Sequence, residues 1–253
     1  SVMKAIAFDI YGTHAHFKAW YMTTSRTTYP LPPRTALAGI IGAIMGIDKE
    51  DLPLWSKPGN GKQFGVRSLK PIKTRILVIK GLRGPAIMKL AGKKGNKSVE
   101  IDWLSDDAPP RIPIEVIDEP EYRIYAHFPQ EPDLDKLAEI IRQSRPHFRP
   151  YLGTANMVAY LRGDSLDFDI MTSGSGTGKL GGLLPKESTI LNVQELRKKK
   201  VRITEVVAQN AVTPDLAFHH GEFIMDMGAV GIPGQLSAEC PHVIDDGLTI
   251  PLI

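Results

Sequence analysis

At the start of the chain Ile6, Phe8 and Ile10 alternate with Ala7 and Asp9, a period of two that lays one face of a strand on a core. The pattern then changes. Tyr21 to Gly46, YMTTSRTTYPLPPRTALAGIIGAIMG, runs from hydroxyls, arginines and prolines into an apolar stretch studded with Gly and Ala. Pro30, Pro32 and Pro33 enforce extended backbone, and proline is tolerated in a helix's first turn, so a helix is expected from about Pro33 or Arg34 to Gly46. On a helical wheel Leu37, Ile40, Ile41, Ile44 and Ile47 form one broad arc for the core. Ala36, Gly39, Ala43 and Gly46 form a neighbouring stripe of small residues, which suits either internal close packing or the approach of another backbone.

Further on, Arg75 to Lys80 (RILVIK) has strand length. Ile112, Ile114 and Val116, then Tyr122, Ile124, Ala126 and Phe128, give two alternating segments around Asp118-Glu119-Pro120, expected to pair as a hairpin. Lys89 to Pro110 is too polar for a core and long for a plain loop, and reads as a projecting insertion. Asp133 caps an expected helix with Leu134, Leu137, Ala138 and Ile141 on one face, bounded by Pro146, and Ala155 to Leu161 follows as a strand. The order strand, helix, strand, strand, helix, strand is the split βαβ, ferredoxin-like (RRM-like) arrangement, an α+β sandwich with one open sheet face. After Asp164 the segments LDFDIM, VRITEVVA, EFIMDM and LTIPLI, parted by Gly and Pro, predict a mostly β remainder. The expected division is a ferredoxin-like domain over residues 1–163, with its insertion at about 89–110, and a smaller β-rich domain over residues 164–253.

Composition narrows this picture modestly. With 253 residues and 42% hydrophobic content the chain can bury a sizeable core. The 31 basic against 28 acidic side chains give a formal charge of +3, which permits nucleic acid as a partner without requiring it. Cys240, the one cysteine, cannot form an internal disulfide, so a reducing compartment, the cytoplasm, is expected. The longest apolar run, Ala36 to Ile47, is shorter than the ~20 residues of a spanning helix, and the first residues lack a secretory pattern, so neither membrane crossing nor export is expected.

Candidate chemistry is sparse. Ser173 to Gly182, SGSGTGKLGG, resembles a phosphate-cradling loop with Lys179 as its charge, yet Ser173 stands where a Walker A motif needs Gly and Leu180 where it needs a hydroxyl. A surface loop and a contact to an RNA backbone fit that stretch equally. The histidines show no metal-ligand spacing, so neither metal nor cofactor is expected. His14, His16, Tyr21 and His127 are the candidates for proton transfer in metal-free RNA cleavage, although such histidines more often serve the surface or the core. The basic run Arg197 to Arg202 suits a solvated face or phosphate contacts. The opening stretch carries the strongest signal: Thr24 and Ser25 offer hydroxyls, Arg26 and Arg34 offer phosphate forks, and a helix start offers free N–H groups. Together these suit an anionic, hydroxyl-rich polymer.

The segment FDIYGTHAHFKAWYMTTSRTTYPLPPRTALAGIIGAIMG resembles the N-terminal signature of the CRISPR-associated Cas five family, small RAMP subunits of type I Cascade, in a type I-B-like form. Tyr29, Pro32, Pro33, Thr35, Ala36, Leu37, Gly39 and Gly42 carry most of the match, and RPYLGTAN from Arg149 to Asn156 looks like a second family block. The resemblance implies a non-catalytic, antiviral-defence subunit that grips the 5′ handle of the guide RNA, caps the filament of Cascade backbone subunits and contacts the large subunit. The insertion would then resemble the family's thumb. RNA contacts are expected at Lys18, Thr24, Ser25, Arg26, Arg34, Arg149 and Lys179, with Lys93, Lys94 and Lys97 on the thumb. One branch of the family cuts precursor RNA without metal; the TTSRTTYP form here looks more like the branches that do not, and a metal-independent endoribonuclease is the alternative.

Overall fold

The computed structural model describes residues 3–20, 27–80, 111–171, 177–212 and 217–253. The first half comprises β1 (Lys4–Tyr11), the two-residue strands β2 (His14–Ala15), β3 (Phe17–Lys18) and β4 (Thr28–Tyr29), helix α1 (Arg34–Met45), the single turn α2 (Leu52–Trp55), β5 (Gln63–Ser68), β6 (Thr74–Lys80), β7 (Arg111–Asp118), β8 (Glu121–His127), α3 (Glu131–Gln143) and β9 (Tyr160–Asp169). Four of these strands form an antiparallel sheet in the order β5-β8-β1-β9. Ile6, Phe8 and Ile10 face a core shared with Leu37, Ile40, Ile41 and Ile44 of α1 and Leu134, Leu137 and Ile141 of α3. Both helices therefore lie on one face of the sheet. Each fully buried Leu or Ile contributes about 1.5–3 kcal/mol relative to exposure, so this layer dominates the stability of the half.

Helix α1 keeps its expected bounds: Pro33 is the extended N-cap residue, and Gly46 closes the end by donating its N–H to the Gly42 carbonyl. Helix α3 begins earlier than the Asp133 cap predicts, because Pro132 fits the first turn and Gln130 is the N-cap residue. Its Glu131 and Asp133 near the start and Arg142 near the end each favour the helix dipole.

Strand pairing departs from the expectation in three places. First, β7 and β8 do not form a hairpin: β7 pairs with β6 and β2, while β8 lies between β1 and β5. Glu119 at φ 45° and Pro120 turn the chain from one sheet into the other. Strand β8 takes a central place because Tyr122, Ile124, Tyr125 and Ala126 are all buried, on both of its faces. Second, the partner that completes the sheet is β5, QFGVRS, where a central glycine and arginine hide the apolar alternation. Gly65 has no Cβ because the carbonyl of Pro251 would lie 2.8 Å from it. Third, the expected strand at Ala155 to Leu161 is displaced to β9, which runs straight through Gly163, the expected domain boundary.

The second half comprises β10 (Thr177–Leu180), β11 (Leu183–Pro185), β12 (Thr189–Leu191), α4 (Val193–Lys199), β13 (Ile203–Val212), β14 (Phe218–Asp226), β15 (Ile232–Leu236), β16 (His242–Asp245) and β17 (Leu248–Pro251). They build a five-stranded sheet, β12-β15-β10-β17-β16, and a three-stranded one, β11-β14-β13. Strand content dominates, as expected. Helix α4 is the addition: the Asn192 side chain accepts from the Glu195 N–H at 3.1 Å and Leu196 is buried, a start signal inside a segment that reads as basic and solvated.

The sheet face expected to be open is covered by the chain itself. Ala5, Ala7 and Tyr125 pack against Ile170, Val243, Leu248, Ile250 and Leu252. The small side chains of β1 point to this side and let β16 and β17 approach. Polar groups lock the same junction: Oδ2 of the buried Asp245 receives the Tyr125 hydroxyl at 2.5 Å and Arg67 Nε at 3.0 Å, and lies 3.1 Å from Arg123 Nη1. Burial pushes the Asp245 carboxyl up, but the Tyr125 hydrogen bond with Arg67 and Arg123 outweighs it and holds the group below the usual carboxylate range. Among the described residues no helix is long and apolar enough to cross a membrane.

Candidate nucleic-acid interface

The polar approach to α1 meets the second half of the chain at β13. The Val207 carbonyl receives the buried Tyr29 hydroxyl at 2.6 Å and the Trp20 indole N–H at 3.3 Å. One residue pair on, the Thr35 hydroxyl reaches the Gln209 carbonyl and Arg34 Nη1 the Asn210 carbonyl. This seam fixes the hairpin of β13 and β14 beside Lys18 and Trp20. Lys18 is exposed on β3, opposite Thr28.

Arg34 does not present a phosphate fork. It is 3% exposed, donates to the carbonyls of Ser56 at 2.8 Å, Asn210 at 3.3 Å and Lys62 at 3.4 Å, and its guanidinium lies over the Phe64 ring. Burial lowers its pKa to about 10. Leu31, Pro32 and Pro33 are buried with it, so the start of α1 faces the interior and offers no free dipole end to solvent. The physical reason is that a proline-rich, apolar approach cannot itself be left in water beside an apolar helix. Thr28 is also spent internally, accepting from the Phe17 N–H at 2.9 Å and donating to the Tyr29 carbonyl. Tyr21, Thr24, Ser25 and Arg26, and the insertion with Lys93, Lys94 and Lys97, lie outside the described residues.

The small stripe of α1 serves internal packing at Gly46, where a Cβ would meet His147 at 2.8 Å, whereas at Gly39 nothing comes within 4 Å. Arg149 is exposed after α3, apart from the seam in the chain. Lys179 is exposed on β10. The glycine-rich stretch is therefore a strand from Thr177 to Leu180 inside the five-stranded sheet, not a loop over that length. Gly182 has a structural reason: at φ +86° a Cβ would lie 1.9 Å from the Val66 carbonyl of β5.

The three described candidates for proton transfer are held separately. His16 and His127 are buried, each placing Nδ1 2.7 Å from a backbone carbonyl, of Glu115 and Lys4 respectively. A carbonyl only accepts, so Nδ1 carries the proton in both. His14 contacts Arg75, with Asp118 3.5 Å from its Nε2. Two of the three imidazoles are thus core residues held by backbone carbonyls.

Two cavities flank the seam. The larger, about 970 Å³, is lined by Arg34, Lys62 and Lys186 but also by Glu187, Glu222 and Glu239. Lys186 is engaged there by Glu205 and Glu222 at 3.0 and 3.1 Å, and their hydrogen bonds raise its pKa. Mixed charge makes it a poor anion site. The smaller, about 440 Å³, is lined by Lys18, Trp20, Gln209, Phe218 and His220, with no carboxylate among the described residues. Sequence reasoning passed over Trp20, Gln209, Phe218 and His220; the signal was the alternation Phe218, His220 on one strand face, legible only once β14 is known to face Trp20.

Residues 5–88, from β1 through the opening stretch and α1 to just past β6, match the sequence profile of the family described as CRISPR-associated protein (Cas5). This segment is similar to the Cas5 family. The matched segment contributes the seam's Lys18, Trp20, Tyr29 and Arg34, whereas β13 and β14 lie beyond it. No curated protein sequence matches the chain. Solved structures similar to it include a chain of a CRISPR RNA-guided surveillance complex, at 12% identity and a TM-score of 0.45, covering 91% of each chain. A CRISPR-associated protein is similar at 13% identity and a TM-score of 0.42, over 91% of this chain and 97% of the other. A functionally uncharacterised protein from Streptococcus mutans is similar at 14% identity and a TM-score of 0.43, over 89% and 95%.

Proposed function

We propose that this protein is the Cascade subunit that binds the 5′ handle of the CRISPR guide RNA and caps the filament of backbone subunits. The observation that carries the reading is the Cas5 match over residues 5–88. The strand order β5-β8-β1-β9 with α1 and α3 on one face supports the finer assignment of the first half as ferredoxin-like, since it is the order that a split βαβ unit produces. In this reading the RNA crosses the surface beside Lys18, with Thr24, Ser25 and Arg26 close to it in sequence, and Arg149 and Lys179 extend the cationic track. Arg34 is withdrawn from the contacts because its guanidinium is spent on protein carbonyls. Lys93, Lys94 and Lys97 keep their role as thumb contacts, and exposed Ile76 and Val78 on β6 give a backbone subunit apolar surface to cover. The large subunit of the complex is the further partner, and the cytoplasm the compartment.

The test is a titration of the purified chain with repeat-derived RNA at several salt concentrations. Affinity is expected to fall steeply with salt, and Lys18→Ala to reduce the slope by about one, because one phosphate contact is lost. Absence of binding at low salt, both alone and with backbone subunits, overturns the proposal. The same mixtures incubated in EDTA report on the ribonuclease alternative: intact RNA is expected, and site-specific cleavage would replace the reading.

A further inference from the structure

Trp20 and Phe218 are 49% and 52% exposed, a costly display of two large apolar rings unless something covers them. Trp20 is held in place: its indole N–H donates to the Val207 carbonyl, and its ring lies 4.3 Å from that of His220 at an interplanar angle of 38°. On the hairpin, a bulge shifts the register so that Gln209 pairs with His220 while Val212 pairs with Phe218. Paired residues share a sheet face, as do His220 and Phe218 two apart on β14, so Gln209, Phe218 and His220 lie on one side of the hairpin. That side, with Lys18 and Trp20, lines the open cavity of about 440 Å³, within the roughly 300–1,000 Å³ of small-ligand sites.

We propose that this cavity takes a single unstacked base of a single-stranded RNA. The proposal rests on the guide-RNA reading above and names the residues that would select a base within it. Each part of the lining has a matching task. Aromatic faces of Trp20, His220 and Phe218 stack a base, which any base satisfies. The Gln209 amide presents a donor and an acceptor to the base edge. Lys18 stands at the rim for a phosphate, and among the described residues no carboxylate lines the site.

The experiment uses the full chain and repeat-derived single-stranded RNA carrying 2-aminopurine at one position at a time. Stacking on Trp20 quenches that base, so one position is expected to lose fluorescence on binding. Phe218→Ala is expected to abolish the position-specific quench and weaken binding about 10-fold to 100-fold, with the salt slope unchanged. Lys18→Ala is expected to do the reverse, lowering the slope and keeping the quench. Trp20→Phe, which retains a ring at that position, is expected to bind, whereas Trp20→Ala loses affinity. Gln209→Leu is expected to keep the stack but alter the preference among otherwise identical RNAs with A, C, G or U at the quenched position. Since Phe218 is exposed, an unchanged thermal melt confirms that the variant folds. Wild-type, salt-dependent binding with no loss in Phe218→Ala overturns the pocket and leaves the guide-RNA reading standing. A wild-type chain that binds no RNA overturns both.

Discussion

At the scale of single residues, two charges show how position decides meaning. Arg34 reads in the sequence as a phosphate fork at a helix start, yet its guanidinium ties together the carbonyls of Ser56, Lys62 and Asn210. Nothing in the local sequence shows this, because Lys62 and Asn210 reach it only in the fold. Arg34→Lys cannot span the same carbonyls or stack on Phe64, and is expected to lower stability by about 2 kcal/mol in urea unfolding while leaving RNA affinity unchanged. Asp245 is the second case. Its carboxyl is held below the usual range in the folded state, so its contribution is complete above the unfolded value of about 3.9 and is lost as pH falls through the lower folded value. Melting temperature is therefore expected to drop in the acid limb. Asp245→Asn should flatten that limb and cost about 3–5 kcal/mol at neutral pH, because Arg67 and Arg123 lose their shared anion at a buried site.

At the scale of elements, α1, α3 and the strands β1, β13, β14 and β17 were legible because each carries its own periodicity of apolar residues. Strand β5 was not, since Gly65 and Arg67 answer to β17 and Asp245 rather than to a local pattern. The expected hairpin of β7 and β8 failed for a related reason: alternation identifies a strand but not its neighbour, and both faces of β8 find cover only in the central sheet. Glycines separate the same two influences. Gly39, in the middle of α1 with nothing within 4 Å of a Cβ, costs helix propensity for no packing return, so Gly39→Ala is expected to raise stability by about 0.5–1 kcal/mol. Gly182→Ala is expected to do the opposite by at least about 2 kcal/mol, since a methyl there meets the Val66 carbonyl and the backbone is left-handed. Chemical denaturation of the two variants side by side reads both signs.

At the scale of the whole molecule, the two halves share cores. Ala5, Ala7 and Tyr125 of the first pack on Val243, Ile250 and Leu252 of the second, and the backbone of Phe64 pairs with that of Ile253 in both directions. Calorimetry is therefore expected to show one cooperative transition, and deletion of residues 248–253 to abolish it; two separate transitions would mean that the halves fold independently. The same packing bears on the proposed function. With the second sheet face covered, the proposed RNA path is the seam between the residues around Lys18 and the hairpin of β13 and β14.

The sequence by itself determined helices α1 and α3, the β-rich second half and the resemblance to Cas5 in the N-terminal segment, because each of these is written in residues that are neighbours along the chain. Only the tertiary structure decided that Arg34 turns inward, that β17 closes the sheet and that Trp20 meets Phe218 and His220 around one cavity. Those outcomes depend on burial and on partners far away in the chain, which a one-dimensional pattern of apolar and polar residues does not encode.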